Sequence, residues 1–98
     1  MASIRETQIQ ELEALATEIR RDSLKFIHNR GAGHPGGALS AAEILAVLYF
    51  RVLKIDPANP QDERRDRFIL SKGHASAAYY SALSRRGFFD AREMERWG

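Results

Sequence analysis

Two histidines stand in glycine-containing loops, a setting in which an imidazole can take part in chemistry. His34 lies in the segment GHPGG at positions 33–37, and His74 lies in KGHA at positions 72–75. Glycine allows a backbone to approach a ligand closely, and Pro35 should stiffen the loop around His34. An imidazole can donate a hydrogen bond to a phosphate or hydroxyl group and can move a proton near neutral pH. The alternative is that both histidines form only structural hydrogen bonds within their loops.

Other polar residues are weaker candidates for chemistry. His28 is expected near the carboxyl end of a helix, where a positive charge is favourable, and this indicates a structural role. Lys72 adjoins the second glycine loop, where it could contact a phosphate or simply be solvated. Asp56, Asp62 and Glu63 lack the spacing of a calcium-binding loop, and the chain has no cysteine for a disulfide or a thiolate metal site. We therefore expect no metal ligands in this chain.

Charge and hydropathy exclude some classes of partner. The 98 residues include 15 basic and 13 acidic ones, so the net charge of +2 gives no case for a nucleic-acid partner. The basic run at positions 63–67 (ERRDR) is interrupted by acidic residues, which is typical of a salt-bridged surface. The longest apolar-rich stretch, Ile44–Leu53, contains Arg51 and is too short to cross a bilayer, so no membrane partner is expected. The absence of cysteine suits a cytoplasmic protein.

The elements that must position the two loops begin with a long helix. Apolar residues recur at helical spacing from about Ile4 to Arg30, and Gly31 is a typical helix stop. The residues expected on the buried face are Ile9, Leu12, Leu15, Ala16, Ile19, Ser23, Phe26 and Ile27. The residues expected on the opposite, solvated face are Glu11, Glu18, Arg21, Asp22 and Lys25.

A second helix is predicted after the first glycine loop. Ser40 and Glu43 match a capping box, which would place the start of this helix at about Ala41 and its end at about Val52. The helix is apolar nearly all round, a pattern typical of a helix buried inside a larger body.

A strand and a third helix are predicted around the second glycine loop. Phe68–Ser71 is a short apolar run that indicates a buried parallel strand, with Gly73 and His74 at its carboxyl end, the usual ligand side of an open α/β sheet. A helix is expected from about Ala75 to Arg86, stopped by Gly87.

The last part of the chain holds a further helix start and most of the aromatic residues. Asp90 and Glu93 match another capping box, and because Gly98 follows so soon, we expect the chain to be cut there from a longer one. The aromatic residues expected in a core or a subunit interface are Tyr79, Tyr80, Phe88, Phe89 and Trp97.

Two segments resemble the thiamine-diphosphate-binding domain of transketolases. RRDSL at positions 20–24 with GHPGGALS at 33–40 is similar to the start of that domain, and DRFILSKGHA at 66–75 is similar to its second motif. The form of both motifs is closest to the N-terminal subunit of split transketolases. The resemblance implies that residues 1–98 are a truncated, helix-rich N-terminal part of an α/β fold, in which helices flank a parallel sheet.

The resemblance also implies roles for particular residues. His34 would contact substrate and assist proton movement on its oxygens. His74 would lie beside the diphosphate of thiamine diphosphate and near the entering substrate, and Gly33, Gly36 and Gly73 would let the backbone pack close to these ligands. The family reaction transfers a two-carbon ketol unit from a ketose phosphate to an aldose phosphate. Ala32 departs from the pattern, because many relatives carry serine there.

The resemblance implies that much of the catalytic site lies elsewhere. The residues that bind Mg²⁺ and the glutamate that activates the cofactor would come from a C-terminal segment or a second subunit, in a homo- or hetero-oligomer. We therefore expect this chain to be inactive alone. Two alternatives remain open: a non-catalytic, partner-binding module derived from a transketolase, and a segment of the related synthase that makes deoxyxylulose phosphate.

Overall fold

The structure is a computed structural model that describes the backbone of residues 4–96 and the side chains of residues 5–94. It contains three α-helices: α1 (Ile4–Arg30), α2 (Pro35–Val47) and α3 (Ser76–Arg86). A π-helical turn, Leu48–Val52, continues α2, and two 3-10 turns, Gly73–Ala75 and Ala91–Arg96, precede and follow α3. The three helices pack on one another around a single core. Trp97 lies outside the described residues.

The predicted bounds of the first and third helices are confirmed. The helix α1 ends where Gly31 adopts a left-handed φ of 81° and donates its N–H to the carbonyls of Ile27 and His28. The helix α3 ends in the same way, since Gly87 has a φ of 106°. Glycine adopts such angles at little steric cost, so a local sequence signal was sufficient to locate both helix ends.

The predicted start of the second helix is wrong. The helix α2 begins at Pro35, because proline at the first helical position has no N–H to leave unpaired and a φ already suited to a helix. Ser40 therefore lies inside α2 and its hydroxyl donates to the carbonyl of Gly37 at 3.1 Å. Glu43, expected to complete the capping box, instead forms an ion pair with Arg20 of α1.

The strand predicted at Phe68–Ser71 is not observed among the described residues. The segment has no regular secondary structure, and residues 4–96 contain no strand. A strand exists only as part of a hydrogen-bonded ladder, and no other segment of the described residues pairs with this one. The parallel sheet of the predicted α/β fold is therefore not part of the described structure, which is helical. Phe68 and Leu70 are half-buried, whereas the side chain of Ile69 is 85% exposed.

Small side chains dominate the core. Alanine allows helices to approach closely, and most core residues are alanines. The buried apolar residues are Ala16, Ile19, Ala38, Ala42, Leu45, Ala46, Tyr49, Ala75, Ala77, Ala78 and Ala82. Tyr49 also contacts the rings of Phe68 and Tyr79, with centroids 5.8 Å and 6.0 Å away, so the segment that carries Phe68 is held against α2 and α3. Burial, followed by the hydrogen bond with Tyr79, raises the pKa of Tyr49 and keeps its hydroxyl neutral.

Two acidic residues that were predicted to lie on the solvated face of α1 are instead partly buried. Asp22 and Glu18 are half-buried and both contact Arg85 of α3. The periodicity of α1 marks its apolar face but cannot show which charged residues a neighbouring helix will reach. Ile9, expected on the buried face, is 47% exposed.

The second helix keeps an exposed apolar side. Ile44, Val47 and Val52 are 61%, 40% and 56% exposed, so its burial inside a larger body stays a prediction. The segment Pro35–Val52 has the length and mean hydropathy, 1.2 over 18 residues, of a membrane-crossing helix. It is thus longer than the apolar stretch recognised in the sequence. Core helices have the same properties, so this is weak support for a membrane.

Candidate functional site

The fold brings the two loop histidines together. The ring centroids of His34 and His74 are 4.2 Å apart, and the rings meet edge to face at an interplanar angle of 70°. Both side chains are exposed. The sequence indicated each histidine separately, and only the packing of α2 against the start of α3 makes them neighbours. Whether they bind substrate and cofactor, as the motif resemblance implies, stays a prediction.

Each histidine stands at the start of a helix. His34 is the residue before α2, and its carbonyl accepts the N–H of Ala38 at 3.3 Å. His74 lies in the 3-10 turn that leads into α3. The first N–H groups of a helix have no intrahelical partner and favour an anion. No side chain of the described residues caps α2, so its first turn is available to hydrogen-bond a ligand.

Glycines at two positions permit the close packing of the site. Gly33 has a φ of +155°, and a Cβ there would be 2.8 Å from Cγ1 of Ile27. A Cβ on Gly37 would be 3.1 Å from the carbonyl oxygen of His74. Gly33 therefore allows the first glycine loop to pack against α1, and Gly37 allows α2 to approach His74.

Gly36 and Gly73 are different, because nothing lies within 4 Å of where their Cβ atoms would be. Both adjoin a histidine loop and border space that a ligand could occupy. Of the glycines implicated by resemblance, Gly33 is thus used for contact within the protein, and Gly36 and Gly73 face open space.

Lys72 links the second glycine loop to α2. Its Nζ donates to Oγ of Ser40 at 2.7 Å while the side chain stays exposed. The sequence left open whether this lysine contacts a phosphate or is solvated. The structure shows an exposed ammonium group held beside the first turns of α2, a position from which it could reach a bound anion.

The imidazole pair lines two cavities. An open cavity of about 400 Å³ is lined by Gly33, His34, Pro35, Gly36, Gly37, Lys72 and His74. A more enclosed one of about 220 Å³ is lined by Ile27, Arg30, Gly33, His34, Gly73, His74, Ser76 and Ala77. We call them the open and the enclosed histidine cavity. Each contains one cationic side chain, Lys72 or Arg30, and no carboxylate of the described residues lines either of them.

Arg30 was missed by the sequence analysis. It lies in the last turn of α1, just before the first glycine loop, and that adjacency to the loop was the signal available. Its presence adds positive charge beside the imidazoles.

The described residues fit the diphosphate of a cofactor but not a metal ion. Two imidazoles, Lys72, a helix N-terminus and the open space beside Gly36 and Gly73 suit an anionic group. Among the described side chains, those of residues 5–94, no group of three or more histidine or acidic residues is placed to hold a metal ion. Any metal at this site would need ligands from outside the described part of the chain.

Comparison with known proteins identifies relatives of the chain. Residues 11–96 match the family model described as transketolase, thiamine diphosphate binding domain. The 6-deoxy-6-sulfo-D-fructose transketolase subunit of a Clostridium species is 51% identical over 79 residues, which cover 81% of this chain and 29% of that protein. One of the apulose-4-phosphate transketolase subunits of Phocaeicola vulgatus is 34% identical over 91 residues, 93% of this chain and 32% of that protein.

Full-length relatives match over a smaller share of their length. The transketolase of Treponema pallidum is 44% identical over 79 residues, which cover 81% of this chain and 12% of that protein. The chain therefore spans about a third or less of the length of these relatives.

Proposed function

The chain belongs to the transketolase family, in its thiamine diphosphate-binding domain, and from this premise we propose that it is part of an enzyme that transfers a two-carbon ketol unit between sugar phosphates. Residues 1–98 would form the N-terminal part of that domain. The observation that carries the proposal is the meeting of His34 and His74 at 4.2 Å, at the starts of two helices and in cavities where no described carboxylate lies.

His34 is proposed as the catalytic residue of this chain. Thiamine diphosphate, when bound, supplies an electron sink for breaking and forming the carbon–carbon bond. The contribution of His34 is to bind an oxygen of the sugar and to hold or move a proton there. Gly33 supports this role because its close contact with Ile27 fixes the loop that carries the imidazole.

His74 and Gly73 are proposed to bind the cofactor, and His74 also the substrate. The imidazole of His74 can donate a hydrogen bond to the diphosphate. The first N–H groups of α2 and the ammonium group of Lys72 lie beside it and favour the same negative charge. Gly73 leaves open space on this side, because no atom lies within 4 Å of its missing Cβ.

The rest of the site is proposed to come from a C-terminal transketolase segment or a second chain. The described residues offer no metal-ligand group, so Mg²⁺ would be held there. Two of the relatives are named as subunits, which supports a partner chain in an oligomer. Their names also mention a sulfo sugar and a sugar phosphate, so an anionic sugar is the substrate class we propose. A cytoplasmic location and a place in pentose phosphate metabolism belong to the same proposal.

Reconstitution tests this function. The chain would be assayed for ketol transfer with thiamine diphosphate and Mg²⁺, first alone and then with the C-terminal segment encoded beside or after it. We expect no turnover alone and turnover in the combination. A stable complex that neither binds thiamine diphosphate nor turns over would instead support the partner-binding module, for which the exposed Ile44, Val47 and Val52 are the favourable observation.

A further inference from the structure

A serine hydroxyl shares the enclosed histidine cavity with the two imidazoles. Ser76 is the first residue of α3, two positions after His74, and it lines this cavity together with His34 and His74. It does not line the open histidine cavity, where Lys72 lies. The second motif shared with transketolases ends at Ala75, so the motif resemblance implies no role for this serine.

The hydroxyl of Ser76 is available to a ligand. Ser23, Ser40, Ser81 and Ser84 each donate a hydrogen bond to a carbonyl or a carboxylate of the protein, at 2.7–3.1 Å. Oγ of Ser76 makes no hydrogen bond with any described residue. Its side chain is half-buried, yet no fully buried side-chain oxygen or nitrogen of the described residues lacks a hydrogen-bond partner. The hydroxyl is therefore accessible to solvent or to a ligand.

The lining of the enclosed histidine cavity suits a sugar. A serine hydroxyl can both donate and accept a hydrogen bond, as a sugar hydroxyl can, and a neutral imidazole offers one nitrogen of each kind. Ile27 and Ala77 add apolar surface against which the C–H groups of a sugar can pack. The volume of about 220 Å³ is several times the roughly 30 Å³ that one water occupies in the liquid, so the cavity has room for part of a small ligand.

We propose that Ser76 is a substrate-binding residue, whose hydroxyl hydrogen-bonds a hydroxyl group of the sugar in the enclosed histidine cavity. The inference rests on the proposed function, because it takes the anionic sugar proposed there as the ligand. The open histidine cavity, which Lys72 and the first turn of α2 line, is left for the diphosphate of the cofactor. The imidazole pair lines both cavities and so contacts both ligands.

Calorimetric titration with ribose 5-phosphate tests this role in the protein joined to its C-terminal segment and loaded with thiamine diphosphate and Mg²⁺. With no ketose present, the titration reports binding alone. Ser76→Ala should weaken the binding of ribose 5-phosphate at least roughly threefold, because one hydrogen bond is lost. The apparent dissociation constant for thiamine diphosphate should stay at the wild-type value. Alanine is a good helix former, so this variant is expected to fold.

The matched control is Ser71→Ala, which removes the hydroxyl of an exposed serine that lines neither histidine cavity. It should bind ribose 5-phosphate as the wild type does. If thiamine diphosphate does not bind the wild type, the proposed function fails. The sugar can then be titrated without the cofactor, and the comparison of Ser76→Ala with Ser71→Ala still decides whether Ser76 binds it.

Four results would overturn the proposal. Equal affinity of Ser76→Ala and the wild type for ribose 5-phosphate would show that the hydroxyl does not contact the sugar. Equal weakening by Ser71→Ala would show that the effect does not belong to the cavity. Weaker binding of thiamine diphosphate with unchanged binding of the sugar would place Ser76 at the cofactor. An absence of sugar binding in the wild type, shown to be folded by circular dichroism, would reject the enclosed histidine cavity as a sugar site.

Discussion

At the scale of single residues, the main feature of the candidate site is an edge-to-face contact between two imidazoles. His34 and His74 each come from a glycine-containing loop, and the cavities beside them hold cations but no carboxylate of the described residues. Such surroundings favour a negatively charged ligand over a metal ion, which prefers anionic or neutral donors in groups of three or more. His28, exposed on α1 and lining neither histidine cavity, provides an internal comparison.

Replacement of His34 by alanine should slow catalysis in the complete enzyme. Loss of a group that binds or protonates a sugar oxygen is expected to lower kcat at least roughly tenfold, about 1.4 kcal/mol of activation free energy. Steady-state kinetics of His34→Ala and His28→Ala would check this, and the second variant should behave as the wild type. Unchanged kinetics in His34→Ala would contradict the proposed catalytic role.

Replacement of His74 by alanine should act on binding. Because His74 lies beside Lys72 and the first turn of α2, its loss is expected to raise the apparent dissociation constant for thiamine diphosphate or for the sugar. Titration of each ligand into the complete enzyme measures both constants. If both equal the wild-type values, His74 does not bind either ligand.

At the scale of secondary structure, the site depends on where helices begin and on how closely they approach. Pro35 sets the start of α2, and Gly37 allows that start to pack against the carbonyl of His74. On the other side, Gly33 packs on Ile27 at the end of α1. Two glycines of the same short motif thus differ in their surroundings, since a Cβ on Gly36 would have nothing within 4 Å, whereas one on Gly33 would be in close contact.

Gly33→Ala should therefore destabilise the protein, and Gly36→Ala should not. At Gly33 a Cβ would be 2.8 Å from Ile27 on a backbone with φ of +155°, so we expect a loss of about 1–3 kcal/mol in the free energy of unfolding. At Gly36, inside α2, alanine is the better helix former and should be neutral or stabilising by up to about 1 kcal/mol. Urea denaturation of the two variants gives the comparison, and equal stabilities would show that the Gly33 contact relaxes without cost.

At the scale of the whole molecule, ion pairs tie the first helix to the other two. Arg20 of α1 pairs with Glu43 of α2. Arg85 of α3 contacts Asp22 and Glu18 of α1. A core made largely of alanine allows the helices to approach closely, and these polar contacts sit at the edge of that core.

Arg85→Ala should destabilise the packing of α3 on α1. The side chain of Asp22 is only 20% exposed and would lose two hydrogen bonds, while Arg85 itself is 34% exposed, so solvent screens part of the effect. We expect a loss of about 1–2 kcal/mol in the free energy of unfolding. Arg64→Ala is the matched control, because its ion pair is long, at 3.7 Å, and its side chain is 93% exposed. A similar loss in both variants would mean that the contact of Arg85 with α1 stabilises the protein no more than the exposed ion pair of Arg64 does.

The sequence by itself was sufficient for the family resemblance, for the bounds of α1 and α3, and for the choice of His34 and His74 as candidate site residues. These features depend on local order along the chain: helical periodicity, glycines at positive φ, and motif residues in succession. The resemblance is confirmed by the family match over residues 11–96.

Only the tertiary structure decided which distant groups meet. The contact between the imidazoles, the pairing of Asp22 and Glu18 with Arg85, and the place of Arg30 beside the site arise from helix packing, which periodicity along one helix does not encode. The strand predicted at Phe68–Ser71 is not observed for a related reason. A strand is a property of two segments joined by hydrogen bonds, and no other segment of the described residues pairs with this one.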